Sequence, residues 1–180
     1  MIGETAALPD LAAACTLTVI PRGAAIASAA RMRGVAIIHT TAQRRIDGWG
    51  ANTNARLFTA MARSPVQLTP GSEAAAPIKA LHRPDDIVLS RLHGLSPFEG
   101  TELDSLLRNA GVRTIVACGV SVNLAITNLT FDAVNAGYQV VIPADAVAGV
   151  PADYADAVLE HTLSLVATVT TAESIVDAWL

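Results

Sequence analysis

The stretch TIVACGVSVNLAITNLTFDAVNAGYQVV (residues 114–141) decides the fold. It opens on a short apolar run, residues 114–118, rich in β-branched side chains, as expected of a strand buried on both faces. Gly119 closes that run. Val122, Ile126, Leu129 and Ala133 follow at spacings of four, three and four, which puts them on one face of a helix. Gly137 supplies a left-handed stop, and residues 138–142 read as a second buried strand. A β-α-β unit of this kind points the first turns of its helix at the carboxyl edge of a parallel sheet, where open α/β proteins bind ligands. The reactive centre is therefore expected near residues 119–127.

Outward from this unit the chain alternates helices and strands. Residues 9–15 suit a short helix, and a firmer one follows with Pro21 in its first turn and Gly34 at its stop. Residues 35–39, 86–91 and 167–169 add three strands to those at 114–118 and 138–142. Thr101 with Asp104, and Thr170 with Glu173, form capping-box patterns that open helices, and Asn54 is placed to cap another. The alternation implies an α/β fold of three-layer, Rossmann-like type, with a mostly parallel sheet and helices on both faces, in a single domain over residues 1–180. No G-x-G-x-x-G follows any of the strands, so no dinucleotide cofactor is expected, and none of another kind is indicated.

Composition narrows the function classes. A chain of 180 residues with 52% apolar side chains can build a two-sided core, yet no apolar run approaches the roughly 18 residues needed to cross a bilayer. The amino terminus lacks a positive leading region, and Glu4, Pro9 and Asp10 interrupt it, so it does not fit a targeting signal. A net charge of −4 without a basic cluster argues against nucleic acid. Two cysteines, Cys15 and Cys118, make no disulfide framework, and a reducing cytoplasm is the expected location. Cys118 sits in an apolar strand and reads as a packed structural residue.

Residues 119–146, GVSVNLAITNLTFDAVNAGYQVVIPADA, resemble the signature of the isochorismatase-like cysteine hydrolases, with Thr130, Asp132, Ala133, Gly137, Tyr138, Asp145 and Ala146 fitting its pattern. LSRLHGLSPFEGTELDSLLRNAGVRTIVACGV and HTLSLVATVTTAESIVDAW are similar to further parts of that family, so the resemblance runs from about Pro21 to Trp179. It implies a Cys nucleophile, an Asp base and a supporting Lys. Here the nucleophile position falls on Ala125 and the lysine position on Arg91. The Asp belongs to a first, central strand ending in Asp-x-Gln, which this chain lacks, and the expectation is that this strand is encoded upstream of Met1. Arginine keeps a positive charge and pairs with carboxylates, but it does not shuttle protons. Cysteine-triad chemistry is therefore not expected of this chain.

The resemblance also implies oligomers and a cis peptide at Val120–Ser121. Val120, Ser121 and Asn123, at the turn before the helix, are candidate ligand-binding residues, with helix capping as their plainer role. His39, ending its strand, and His93, in the loop after Arg91, complete the candidate set at the same edge. Without a carboxylate at matching spacing, no metal is expected there. Trp49, Arg44, Arg45 and Asn54 suit a pocket wall, a subunit contact or a solvated loop.

Three functional readings remain. The chain is an altered family member binding a small carbonyl or carboxylate ligand, a hydrolase using a carboxylate from a missing amino-terminal segment, or a structural subunit with a vestigial pocket. The expected partners are a small-molecule ligand and further copies of the chain, with neither nucleic acid nor membrane.

Overall fold

In the computed structural model, which describes residues 7–180, helices and parallel strands alternate along the chain. In chain order the elements are α1 (Pro9–Thr16), α2 (Val19–Met32), β1 (Ile38–Gln43), α3 (Arg56–Arg63), β2 (Ile87–Leu92), α4 (Leu103–Asn109), β3 (Thr114–Val116) and β4 (Gly119–Val120). There follow α5 (Thr127–Asn135), β5 (Gln139–Pro143), β6 (Val147–Ala148), α6 (Ala152–His161), β7 (Thr168–Thr170) and α7 (Ala172–Trp179). All strand pairs are parallel: β1 with β2, β3 with β5 and β5 with β7, and the short β4 with β6.

The alternation along β5 builds the layers. Val140 and Ile142 face a core shared with Leu107 of α4, Ala133 of α5 and Val158 of α6, while Val141 faces the other way, toward Ile26 of α2 and Ile175 of α7. Helices therefore cover both faces, giving the expected α/β architecture with parallel strands. Val122, Ile126 and Ala133 are buried and Leu129 packs against them, as their spacing requires. Full burial of Ile142 and Leu163, at 0% exposure each, stabilises the fold by roughly 1.5–3 kcal/mol per side chain.

Several details differ from the sequence reading: Glu102 rather than Thr101 occupies the cap position of α4, and β3 ends at Val116 rather than residue 118. β1 begins at Ile38 rather than residue 35 and continues through Thr40, Thr41 and Gln43, because β2 pairs with it residue by residue from Ile38↔Ile87 to Gln43↔Leu92. Thr171, not Thr170, caps α7: its Oγ1 accepts the Ser174 N–H at 3.2 Å. Ala55 rather than Asn54 occupies the cap position of α3.

The strands do not close into one sheet. β1–β2 and β3–β5–β7 are separate, and no backbone hydrogen bond joins β1 to β3. A cavity of about 940 Å³ lies between them.

Candidate functional site

The head of α5 is not a regular α-turn. Residues Val122–Ile126 form a π-helical turn, and Thr127 Oγ1 donates to Val122 O five residues back, at 2.6 Å. Such turns recur at functional sites because they redirect side chains. Just before it, Gly119 takes φ +115, a conformation that disfavours other residues, and Gly119 and Val120 pair with Val147 and Ala148. The Val120–Ser121 peptide is cis, as the family resemblance implies.

Arg91 occupies the fifth position of β2, opposite Ala42. Its side chain is buried, with 8% of the residue exposed. Nε donates to Gly94 O at 3.1 Å, and among the described residues no carboxylate lies within ion-pair distance. Burial lowers its pKa, but a guanidinium stays charged. An isolated buried cation is costly, and here only the Gly94 carbonyl offsets that cost among the described residues.

Of the residues singled out in the sequence, Arg91, Val120, Ala125 and His39 line the same cavity. Ser121, Asn123 and His93 do not line it. Asn123 Nδ2 donates to Val150 O at 3.1 Å, and its buried Oδ1 has no hydrogen-bond partner among the described residues. His93, with φ 64, turns its ring toward the Arg45 N–H, 3.5 Å from Nε2. None of Trp49, Arg44, Arg45 or Asn54 borders the cavity; Arg45 instead pairs with Asp47 at 2.6 Å.

The placement of His39 at the carboxyl edge is corrected. Because β1 starts later than expected, His39 is its second residue and lies at the amino end. There Nε2 lies 2.9 Å from Asp86 Oδ2, and Arg31 reaches the same carboxylate. His39 and His93 are thus separated along five residues of strand, roughly 16 Å. Among the described residues, no group of three His, Cys, Asp or Glu side chains is arranged to hold a metal ion.

Cys118 is also corrected. It is exposed rather than packed, because it borders the unfilled space beside β3. Protein crowds the thiol on its other sides: burial, and next the negative charge of Asp145, push its pKa up to about 12. The loop after β2 contributes Pro97 and Phe98 to the cavity wall, which the sequence reading did not single out for the site. That loop is tied down by Ser96, whose hydroxyl donates to Asp132 Oδ2 on α5 and accepts the N–H groups of Phe98 and Glu99, both at 3.1 Å.

The fold and the signature residues together define an isochorismatase-like α/β protein. The isochorismatase domain model matches residues 12–174, and the chain belongs to that family. It is 30% identical over 133 residues to YecD, an uncharacterized isochorismatase family protein of Escherichia coli O157:H7, covering 73% of this chain and 70% of that protein. An isochorismatase family protein from Burkholderia thailandensis superposes with a TM-score of 0.78 at 29% identity, covering 90% of this chain and 83% of its own. A cysteine hydrolase from Pseudomonas syringae pv. phaseolicola superposes with a TM-score of 0.81 at 24% identity, over 91% and 81% of the two chains, and so speaks to the fold alone.

Proposed function

We propose that this isochorismatase-like protein has a degenerate catalytic site and binds a small carbonyl or carboxylate ligand beside Arg91. The carrying observation is the buried Arg91 guanidinium, without a carboxylate partner among the described residues, in the cavity that Ala125 and Val120 also line. A carboxylate or polarised carbonyl there gains a charge-assisted hydrogen bond in an apolar setting. Ala125 leaves no nucleophile at the family position, and Arg91 holds charge without shuttling protons. The reading includes a cytoplasmic homo-oligomer. Leu124 and Phe131, exposed at 45% and 40%, share a helical face with Asn128, whose buried Oδ1 has no partner among the described residues.

Thermal-shift titration with small carboxylates and amides tests the ligand. We expect a stabilising shift that disappears in Arg91→Ala and in Ala125→Trp while circular dichroism shows both variants folded. The absence of any shift, or a shift that both variants keep, overturns the reading.

A second reading is favoured by the open cavity between β1 and β3: a hydrolase whose acid is a carboxylate from a further segment, with Arg91 as electrostatic support. Hydrolysis of small amides or vinyl ethers that is lost in Arg91→Ala would replace the first reading by this one.

A further inference from the structure

We propose that α6 of a second copy of the chain docks antiparallel along the outer face of α3, with ion pairs from Arg56 to Glu160 and from Arg63 to Asp153. The proposal rests on the homo-oligomer of the reading above and not on its ligand.

The two faces are opposite in charge. Arg56, Thr59, Ala60 and Arg63 line a surface groove of about 460 Å³ along α3, and their spacing of three, one and three puts them on one helical face. Both arginines are exposed, and neither pairs with a carboxylate among the described residues. On α6, Asp153, Asp156 and Glu160 are exposed at spacings of three and four, again one face, and none pairs with a cation among the described residues. Within one chain the two helices pack into different clusters, α3 through Met61 against Leu68 and Ala74, and α6 through Val158 against Val140 and Ile142. The opposite charge that each face wants therefore comes from another molecule.

Spacing selects what that molecule is. Arg56 and Arg63 stand seven residues apart, about 10.5 Å along the helix, too far for one small anion to be centred on both. Asp153 and Glu160 stand the same seven residues apart. Laid antiparallel, the two helices form both ion pairs in a single register. Ala60 then faces Asp156 and Thr59 faces Ala157, and these small side chains on α3 let the helices approach. The antiparallel direction also sets the carboxyl end of α3 beside the amino end of α6, where the helix dipoles attract.

Surface ion pairs contribute little by themselves. The segment leading into α3 exposes Ile46 and Trp49, at 84% and 77%, and α6 exposes Tyr154 at 55%. These side chains supply apolar area to a seam whose register the charges set.

Sedimentation velocity tests the interface on the native chain and on two charge-reversed variants, Arg56→Glu/Arg63→Glu and Asp153→Arg/Glu160→Arg, with circular dichroism to show that both are folded. The native chain is expected to assemble, with a dissociation constant that rises about tenfold or more from about 0.05 to about 0.5 M NaCl. Each variant alone sets like charges against each other and is expected to self-associate at least about tenfold more weakly. Mixed in equal amounts, the two variants restore opposite charges across the seam and are expected to assemble again.

A monomeric native chain overturns both the interface and the homo-oligomer. A native assembly that both reversals leave intact overturns the interface alone, and so does a mixture of the variants that stays apart. The salt series needs no variant, and a dissociation constant that salt leaves unchanged also overturns the interface. None of the four substituted residues lines the cavity beside Arg91, so ligand-induced thermal shifts in both variants report on that reading separately.

Discussion

Arg31, in the last turn of α2, grips Asp86 with both arms of its guanidinium, Nε at 3.2 Å from Oδ1 and Nη2 at 2.6 Å from Oδ2. His39 and the Arg83 N–H complete the set around the same carboxylate, at 2.9 and 2.8 Å. Burial alone would raise the Asp86 pKa, but these hydrogen bonds and the Arg31 charge outweigh it and hold the group well below the usual carboxylate range.

Asp86→Asn is therefore expected to destabilise the protein by about 3 kcal/mol at neutral pH, since it leaves Arg31 without its counter-charge. A depressed carboxylate pKa contributes stability that is full above the unfolded value of about 3.9 and lost as pH falls through the lower folded value. Urea midpoints should show a constant gap between native chain and variant from about pH 7 to 5, narrowing below about pH 4. A gap that widens on acidification contradicts this account.

Asp132 holds the loop after β2 against α5 through Ser96, and Asn128 Nδ2 adds a bond to the same oxygen at 3.2 Å. Asp132→Ala is expected to cost about 1.5–3 kcal/mol, as for other hydrogen bonds to a charged group. The diagnostic signal is local: the Phe98 and Glu99 amides, which depend on Ser96 Oγ, should exchange with solvent faster than in the native chain. Unchanged exchange there would mean the loop is held by its apolar contacts alone.

A methyl group on Gly149 would meet Ala155 Cβ at 2.9 Å and Asn123 Oδ1 at 3.0 Å. Gly149→Ala should push α6 or the Asn123 amide aside at a cost of about 1–3 kcal/mol, lowering Tm by several degrees. The Asn123 side-chain amide resonances report whether the displacement reaches the turn before α5.

The two thiols should behave differently. Cys15 is fully buried, with its pKa pushed up to about 11 by burial, and should resist iodoacetamide in the folded protein. Cys118 is open to reagent but rarely ionised, so its alkylation rate should climb about tenfold per pH unit from about pH 8 to 10 without a plateau. A plateau near pH 9 would show an ordinary thiol. Asp145→Asn removes a negative neighbour and should speed the reaction.

How much of this was legible in the sequence depended on whether a position answers to its neighbours in the chain or in space. β2, β3, β5 and β7 fall close to their expected places because β-branched runs and glycine stops are local signals. β1 was misplaced because Thr40, Thr41 and Gln43 look like loop, and only pairing with β2, far along the chain, makes them strand. Ala125 and Arg91 were located through the family resemblance, and both line the cavity. Which other side chains turn toward it could not be read, since the π-turn sets the direction of Asn123 and Asp86 captures His39 from 47 residues away.

The parted sheet also bears on how the molecule comes undone. A continuous ladder of backbone hydrogen bonds makes neighbouring strands lose structure together; here the ladder is interrupted between β1 and β3. The β1–β2 pair is joined to the β3–β5–β7 half through side chains instead, Ile38 and Leu89 packing against the core of Val140 and Ile142, while Ile26 of α2 packs against α7 on the other face. The Arg31–Asp86 clasp adds a polar tie across the same gap, from α2 to the start of β2.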